Sequence, residues 1–425
     1  MSLRRIAALP RPLRFALGLA VGAILYATLQ PADLAEHVPP WWCVACGDRG
    51  KADFILNVIL FLPFGCVIGL TGTRWRTALW SGLFLSTFIE LTQLFVPGRD
   101  TSLGDVISNT SGAVLGFFIA GVIVAAARRS QPPALRTGLA IGLAFAIIAL
   151  TGISLHPSYP ASTYYGQWTA DLGGGFEWYR GRVLSASLGT MGLPSRQLDD
   201  QPRVQALLAR GTPVEITALA GPSTTRLAPL FSIYDEQERE VLLIAPRRND
   251  LVMRYWTRSL NWGLDRPYVT VGNALAGIHP GDTLHVQVWR EEGRTCLAVN
   301  GRQDCNLGFT AGAGWSVLIY PESFHTWLRS FLDATWVWGI LLPVGFFATS
   351  RPTLTGAAVL VALGLLAIPG VVGLRATPIW EWAGAALGIA TGFWGRRLLA
   401  RIPRQAVRPP QIVFTNSAKQ RSTRS

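Results

Sequence analysis

Charge is what this sequence has least of. Asp, Glu, Lys and Arg make up 15% of 425 residues, against about a quarter in soluble domains. Acid is scarcer than base, 25 residues against 38, and lysine is nearly absent: Lys51 and Lys419 are the only two, so 36 of the 38 basic residues are Arg. Three Met, five His and five Cys complete the shortages. So few cysteines exclude a disulfide-dense small fold, and so few histidines leave no His-rich metal helix. There is no phosphate-binding glycine loop and no dinucleotide motif. What remains is half apolar, with a mean hydropathy of +0.31, which argues for a polytopic membrane protein over a cytosolic enzyme. Sixteen Trp and 27 Pro are many for a helix bundle alone and point to a second kind of domain.

Eight apolar runs, at roughly 15–30, 54–70, 78–96, 108–127, 137–155, 330–349, 354–374 and 379–400, approach the ~17–25 residues that a spanning helix needs. The first follows Arg4, Arg5, Arg11 and Arg14. It reads as a retained anchor, because no small-x-small cleavage site follows Tyr26 to Leu29. Arg74 and Arg76, then Arg128, Arg129 and Arg136, then Arg351, and finally Arg396, Arg397, Arg401, Arg404 and Arg408 all fall on one side of eight spans. The positive-inside rule makes that side the cytoplasm, with both termini inside. Only Arg49, Lys51, Arg99 and Arg375 fall in short outer loops. The basic charge is thus accounted for without nucleic acid.

Residues 156–326 interrupt this pattern, and the topology puts them outside. The apolar period there becomes two, as in Leu284, Val286 and Val288 alternating with His285, Gln287 and Trp289. Further strands are expected at 213–219, 229–234, 240–245, 250–257, 267–271, 294–300 and 315–320, which suggests one all-β sandwich. Asn300-Gly301 suits a two-residue hairpin turn. Folding there sets Cys296 opposite Cys305, a natural disulfide in an oxidising compartment. Cys43 and Cys46 lack four metal ligands and a thioredoxin context, so a local disulfide is the expectation. The domain reading is therefore 1–155 (five spans), 156–326 (sandwich), 327–400 (three spans) and a basic tail, 401–425. No internal repeat is evident.

Polar residues gather in the second to fourth spans. At 1.5 Å rise per residue, Glu90 sits about 9 Å below the outer end of its helix, and Gln93, three residues on, shares its face. Asp105, Asn109, Gly112 and Gly116 fall within about 60° on the next helix, and the two glycines permit close helix approach. With Asn57 on the second span and Arg99 at the lip, these side chains can converge near the outer leaflet. An intramembrane carboxylate costs about 2.5–3.5 kcal/mol on insertion scales and usually marks function; the competing reading is a polar clasp between helices. The order Asn57, Phe61, Pro63, Phe64, Gly65, then Glu90, Gln93, Arg99, Asp105, Asn109, Gly112 and Gly116 resembles the VanZ-like family over roughly residues 15–127. That resemblance implies a cell-envelope membrane protein with a link to glycopeptide-antibiotic resistance, without supplying a reaction.

The expected sandwich resembles concanavalin A-like, laminin G-like domains, on its length, its strand density and the stretch from Gly281 to Gly301. Such domains often bind glycans through exposed aromatics, which makes Tyr255, Trp256, Trp262, Tyr268 and Trp289 candidates. Asp235, Asp250 and Asp282 lack a calcium-loop signature, and no metal or cofactor is expected. The leading expectation is an envelope protein whose bundle handles or senses an amphipathic molecule and whose sandwich recognises glycan or protein. Membrane lipids and a cell-envelope glycan or lipid-linked precursor would be its partners. The alternatives are a membrane enzyme acting on a lipid-linked substrate through Glu90 and Asp105 as acid and base, and a transporter.

Overall fold

The computed structural model describes residues 10–31, 40–46, 50–128, 133–173, 175–265, 267–291, 294–319 and 326–401. The expected basic tail beyond Arg401, and Arg4, Arg5, Arg49 and Arg129 of the charge argument, lie outside them. The chain forms two compact units. One takes in residues 1–131 and 396–425, the other 132–395.

Helices occupy all eight apolar runs: α1 (Arg11–Thr28), α2 (Gly50–Leu70), α3 (Trp75–Gln93), α4 (Leu103–Arg128) and α5 (Pro133–Leu155) before the strands, then three more after them, described below. Where the sequence suggests eight spans, five helical stretches among the described residues are long and apolar enough to cross a membrane by length and composition: Gly50–Leu70, Leu103–Ala126, Ala134–Leu155, Trp327–Phe347 and Arg351–Val371. The others are less apolar over their length, lowered by Arg11 and Arg14 in α1, by Arg76, Glu90 and several Ser and Thr in α3, and by Glu381 with several Arg in the last helix.

In the first unit α2 and α4 meet backbone to backbone. A methyl group on Gly112 would meet the carbonyl oxygen of Val58, one on Gly116 that of Leu62, and one on Gly65 that of Ala113. Pro63 lies inside α2, one residue beyond Leu62. Phe61, Phe64, Ile89, Ala113 and Phe117 pack around this crossing. Helix α3 is inside out. It buries Ser86, Glu90 and Gln93 and exposes Trp80, Phe84, Phe88 and Leu91. That distribution suits a helix whose outer surroundings are apolar.

The second unit holds α5, the strands and the last helices. Strands β1 (Tyr164–Trp168), β2 (Arg182–Leu188), β3 (Met191–Gly192), β4 (Val214–Leu219), β5 (Phe231–Asp235), β6 (Glu240–Arg247), β7 (Asp250–Tyr255), β8 (Tyr268–Val271), β9 (Thr283–Glu291), β10 (Arg294–Val299) and β11 (Arg302–Leu307) build two antiparallel sheets, ordered β1-β5-β6-β7-β8 and β11-β10-β9-β4-β2-β3. Tyr164, Phe231, Ile244 and Met253 from one sheet share a core with Leu188, Ile216, Val286 and Leu297 from the other, so the two stack as a sandwich. The five-stranded sheet is covered on its other face too, by a cluster of Leu243, Ala245, Val252, Tyr268 and Phe176. The hairpin forms as expected: Asn300 and Gly301 both take positive φ between β10 and β11. Cys296 and Cys305 are disulfide-bonded across it, as are Cys43 and Cys46 in the first unit.

Two departures have local causes. Residues 201–210 form a helix, α6 (Gln201–Arg210), which sequence reading passed over; the Asp200 side chain accepts from the Arg203 N–H, Gly211 closes the C-terminus at φ 75°, and Val204 and Leu208 face the core. Of residues 315–320, expected as a strand, the described ones, 315–319, form none. A 3-10 helix over Ala311–Val317 takes their place. Its glycines fit where side chains could not: a methyl group on Gly312 would touch the Asp333 carbonyl and the Glu381 carboxylate, and one on Gly314 the Trp336 ring. A one-turn helix, α7 (Arg258–Asn261), lies between β7 and β8.

After the strands come α8 (Thr326–Phe347), α9 (Arg351–Val371) and α10 (Ile379–Arg401). Ile148 of α5, Val337 and Leu341 of α8, Leu365 of α9 and Ile389 of α10 share one core, so the last three helices pack with the fifth. Their crossing repeats that of the first unit. A methyl group on Gly388 would meet the carbonyl of Trp338, one on Gly392 that of Leu342, and one on Gly345 that of Ile389, with Pro343 inside α8. Shifting α8 back by 280 residues and α10 by 276 turns these three contacts into those of Gly112, Gly116 and Gly65. Under the same shifts Asp333 falls on Asp53, Glu381 on Asp105 and Arg375 on Arg99. The chain therefore contains a repeat that the sequence reading missed, with the sandwich inserted between the first and second helices of its second copy. Replacing Gly116 by Val is expected to cost at least about 1–3 kcal/mol through overpacking, read as loss of monodisperse protein in size-exclusion chromatography. Ser at Cys296 and Cys305 together should cost about 2–3 kcal/mol, read as a lower melting temperature.

Candidate functional site

The first unit holds a cavity of about 370 Å³, within the range of small-molecule sites. Its roof is the disulfide loop of residues 40–46, held down where the Leu103 N–H donates to the Trp41 carbonyl (2.8 Å) and where Gly104 lies against Val44. Its polar walls are Asp53 and Asn57 from α2, Gln93 from the end of α3, Arg99, Asp100, Thr101 and Ser102 from the α3–α4 loop, and Asp105 from the first turn of α4. The N-terminal turns of α2 and α4 both carry an Asp, where a carboxylate is favoured by the helix dipole.

Each expected polar residue has a definite place. The Asn57 amide donates to Asp105 Oδ1 at 2.7 Å, tying α2 to α4. Gln93 Nε2 donates to the Thr28 carbonyl at 2.9 Å, tying α3 to the end of α1, while Gln93 Oε1 is buried with no partner among the described residues. Arg99 Nε donates to the Gln30 carbonyl at 2.8 Å. Arg99, Asn57, Gln93 and Asp105 all face the cavity. Glu90 and Asn109 do not. Glu90 Oε2 accepts from the Ser102 backbone N–H at 2.8 Å, just ahead of α4, and Asn109 donates to Ser86 at 2.9 Å inside the helix packing. Gly112 and Gly116 serve the α2–α4 crossing, away from the cavity. Sequence reading overlooked Asp53 and Ser102; the first was legible as an acidic residue one helical turn before Asn57.

The aromatic candidates in the sandwich fare differently. Tyr255, Trp256 and Tyr268 are 7%, 5% and 5% exposed. Tyr255 and Trp256 belong to the inter-sheet core and Tyr268 to the cluster on the far side of the five-stranded sheet, so none offers a face to a glycan. Trp256 donates to Asn261 (2.8 Å) with Arg239 stacked over its ring, and Tyr268 takes a hydrogen bond from Arg329 of α8. Only Trp262 and, in part, Trp289 remain accessible. The sandwich also has a pocket of about 40 Å³ beside Tyr159, Tyr255 and Trp289, too small for a sugar ring. Burial pushes the Tyr159 phenol up to about 12 and raises that of Tyr255 as well, which keeps both neutral. Asp235 pairs with Arg239, Asp250 accepts from the Asn273 N–H, and Asp282 accepts from the His279 N–H, so the three do not form one cation site.

Glu90 thus works as a cap on the loop entering α4. Glu90→Gln is expected to cost about 1–2 kcal/mol, seen as a lower yield of folded protein in the membrane fraction, whereas Asp105→Asn should leave the yield near wild type.

No curated protein and no solved structure matches this chain. Residues 16–124, which span α1 to α4 and every wall of the cavity, match the VanZ/LLP1 family. That match and the apolar helices fit a multi-pass membrane protein of the envelope.

Proposed function

We propose that the protein is an envelope membrane protein whose first unit holds the polar head of an amphipathic envelope molecule in the roofed cavity between α2, α3 and α4. The observation that carries this reading is a cavity of about 370 Å³ with polar walls in a unit whose neighbouring surface, at Phe88, Leu91, Leu94 and Phe95, is exposed and apolar. A head in the cavity and a chain along that surface would satisfy both. Arg99 stands at the lip with N–H groups beyond those given to Gln30 and Ala27, suited to a phosphate or carboxylate. Eight spans with both termini in the cytoplasm and the sandwich outside would follow from the Arg distribution and from the inside-out character of α3 and α10. In α10 Glu381 is buried while Ile379, Leu387 and Trp394 are exposed. The sandwich would then offer the outer face of its six-stranded sheet, with Glu215, Thr217, His285 and Gln287, to a glycan or protein. Resistance to a glycopeptide antibiotic would arise if that molecule is its target or its substrate.

The enzyme reading through Glu90 and Asp105 loses support, since Glu90 is committed to Ser102 and stands outside the cavity. Transport between leaflets gains one observation, the repeated four-helix arrangement, because many transporters are built from repeats. Arg99→Ala should abolish any change in glycopeptide susceptibility that overexpression of the wild-type protein produces, with unchanged protein in the membrane. An unaltered susceptibility profile with that variant would overturn the cavity reading. A vesicle assay of headgroup accessibility separates holding from transport.

A further inference from the structure

The repeat shows the same constellation twice, once open and once filled. In the second unit Glu381 corresponds to Asp105, Asp333 to Asp53 and Arg375 to Arg99. No cavity of the first unit's kind is needed there, because the chain supplies the occupant. The Thr310 hydroxyl donates to Glu381 Oε1 and Gly312 packs against the same carboxylate, whose Oε2 has no partner among the described residues. The 3-10 helix that follows lies against Asp333 and Trp336. Arg375 meanwhile donates to Asn306 at 3.1 Å and its backbone N–H to the Phe309 carbonyl, holding the segment that carries Thr310. The occupant of the second site is therefore a chain segment that sets a hydroxyl donor on a helix-start carboxylate and an oxygen acceptor on the Arg.

The first unit offers the same features to a cavity. Asp105 accepts one hydrogen bond from Asn57, which leaves acceptor capacity on the carboxylate. Gln93, 95% buried by its 5% exposure and part of the wall, presents an Oε1 that no described residue satisfies. A buried acceptor of this kind costs free energy until a donor arrives. Resting on the cavity reading above, we infer that the molecule held in the first unit carries a donor-bearing head, an ammonium or hydroxyl group directed at Asp105 and Gln93, with its phosphate or carboxylate at Arg99.

The experiment uses the full-length protein, delipidated in detergent and offered phosphatidylethanolamine, phosphatidylglycerol or phosphatidylcholine with matched acyl chains, and reads bound lipid by native mass spectrometry. The ethanolamine head donates through an ammonium, the glycerol head through hydroxyls, and the choline head has no N–H or O–H to donate. Retention of the first or second at least about tenfold above the third is expected, since a hydrogen bond to a charged group is worth about that factor, and which of the two leads tells ammonium from hydroxyl. Gln93→Leu and Asp105→Leu should each erase the preference. Glu381→Gln should leave it unchanged, because that site is filled from within. Should Asp105→Leu fail to fold, the wild-type ranking and Gln93→Leu still decide. Equal retention of all three heads, lowered together by Arg99→Ala, would overturn the donor inference and keep the cavity. Retention indifferent to both headgroup and Arg99→Ala would overturn both.

Discussion

The closest constraint in the first unit is the contact between the backbones of α2 and α4. Helix axes approach this tightly only where no Cβ stands between them, and Gly65, Gly112 and Gly116 remove it at successive turns. The crossing sets everything above it. It brings the first turns of α2 and α4 side by side, which puts Asn57 within hydrogen-bond reach of Asp105 and opens the space that the disulfide loop then roofs. The same geometry recurs at Gly345, Gly388 and Gly392 in the second unit, where it positions Glu381 to receive Thr310.

Polarity is distributed to suit that arrangement. Three carboxylates on the helices are answered by a donor from a different element: Glu90 by the Ser102 N–H, Asp105 by Asn57, Glu381 by Thr310. Exposed surface on the same helices is apolar, as at Phe84 and Phe88 of α3. A soluble bundle would invert this. Without water around the helices, internal hydrogen bonds are the only way to satisfy buried polar groups, so the clasp and the cavity are two uses of one necessity.

The sandwich answers to a different rule. Its five-stranded sheet is buried on both faces, which is why β6 reads as the unbroken apolar run from Val241 to Ala245 and why three of the five aromatics picked out for exposure are core. Alternation is clear in the six-stranded sheet, where Leu284, Val286 and Val288 point inward and His285 and Gln287 outward.

Local chemistry determined the helical runs, the inside-out pattern, the Asn300-Gly301 hairpin with its Cys296–Cys305 bridge, and the grouping of Asn57, Gln93, Arg99 and Asp105, because period, turn propensity and intramembrane charge are properties of near neighbours. The spacing that betrays the repeat was also present, Arg, then an acid six residues on, then glycines seven and eleven beyond it. It is hidden because the second copy has Val337 for Asn57 and because some 170 residues of sandwich divide it. Only the tertiary structure decided which polar residues face the cavity and which are spent in packing, since the choice between Glu90 as site and Glu90 as cap depends on where Ser102, twelve residues away, comes to rest. Side-chain burial among the aromatics was undecided for the same reason: a strand's period tells which residues share a face, and only packing tells which faces are covered.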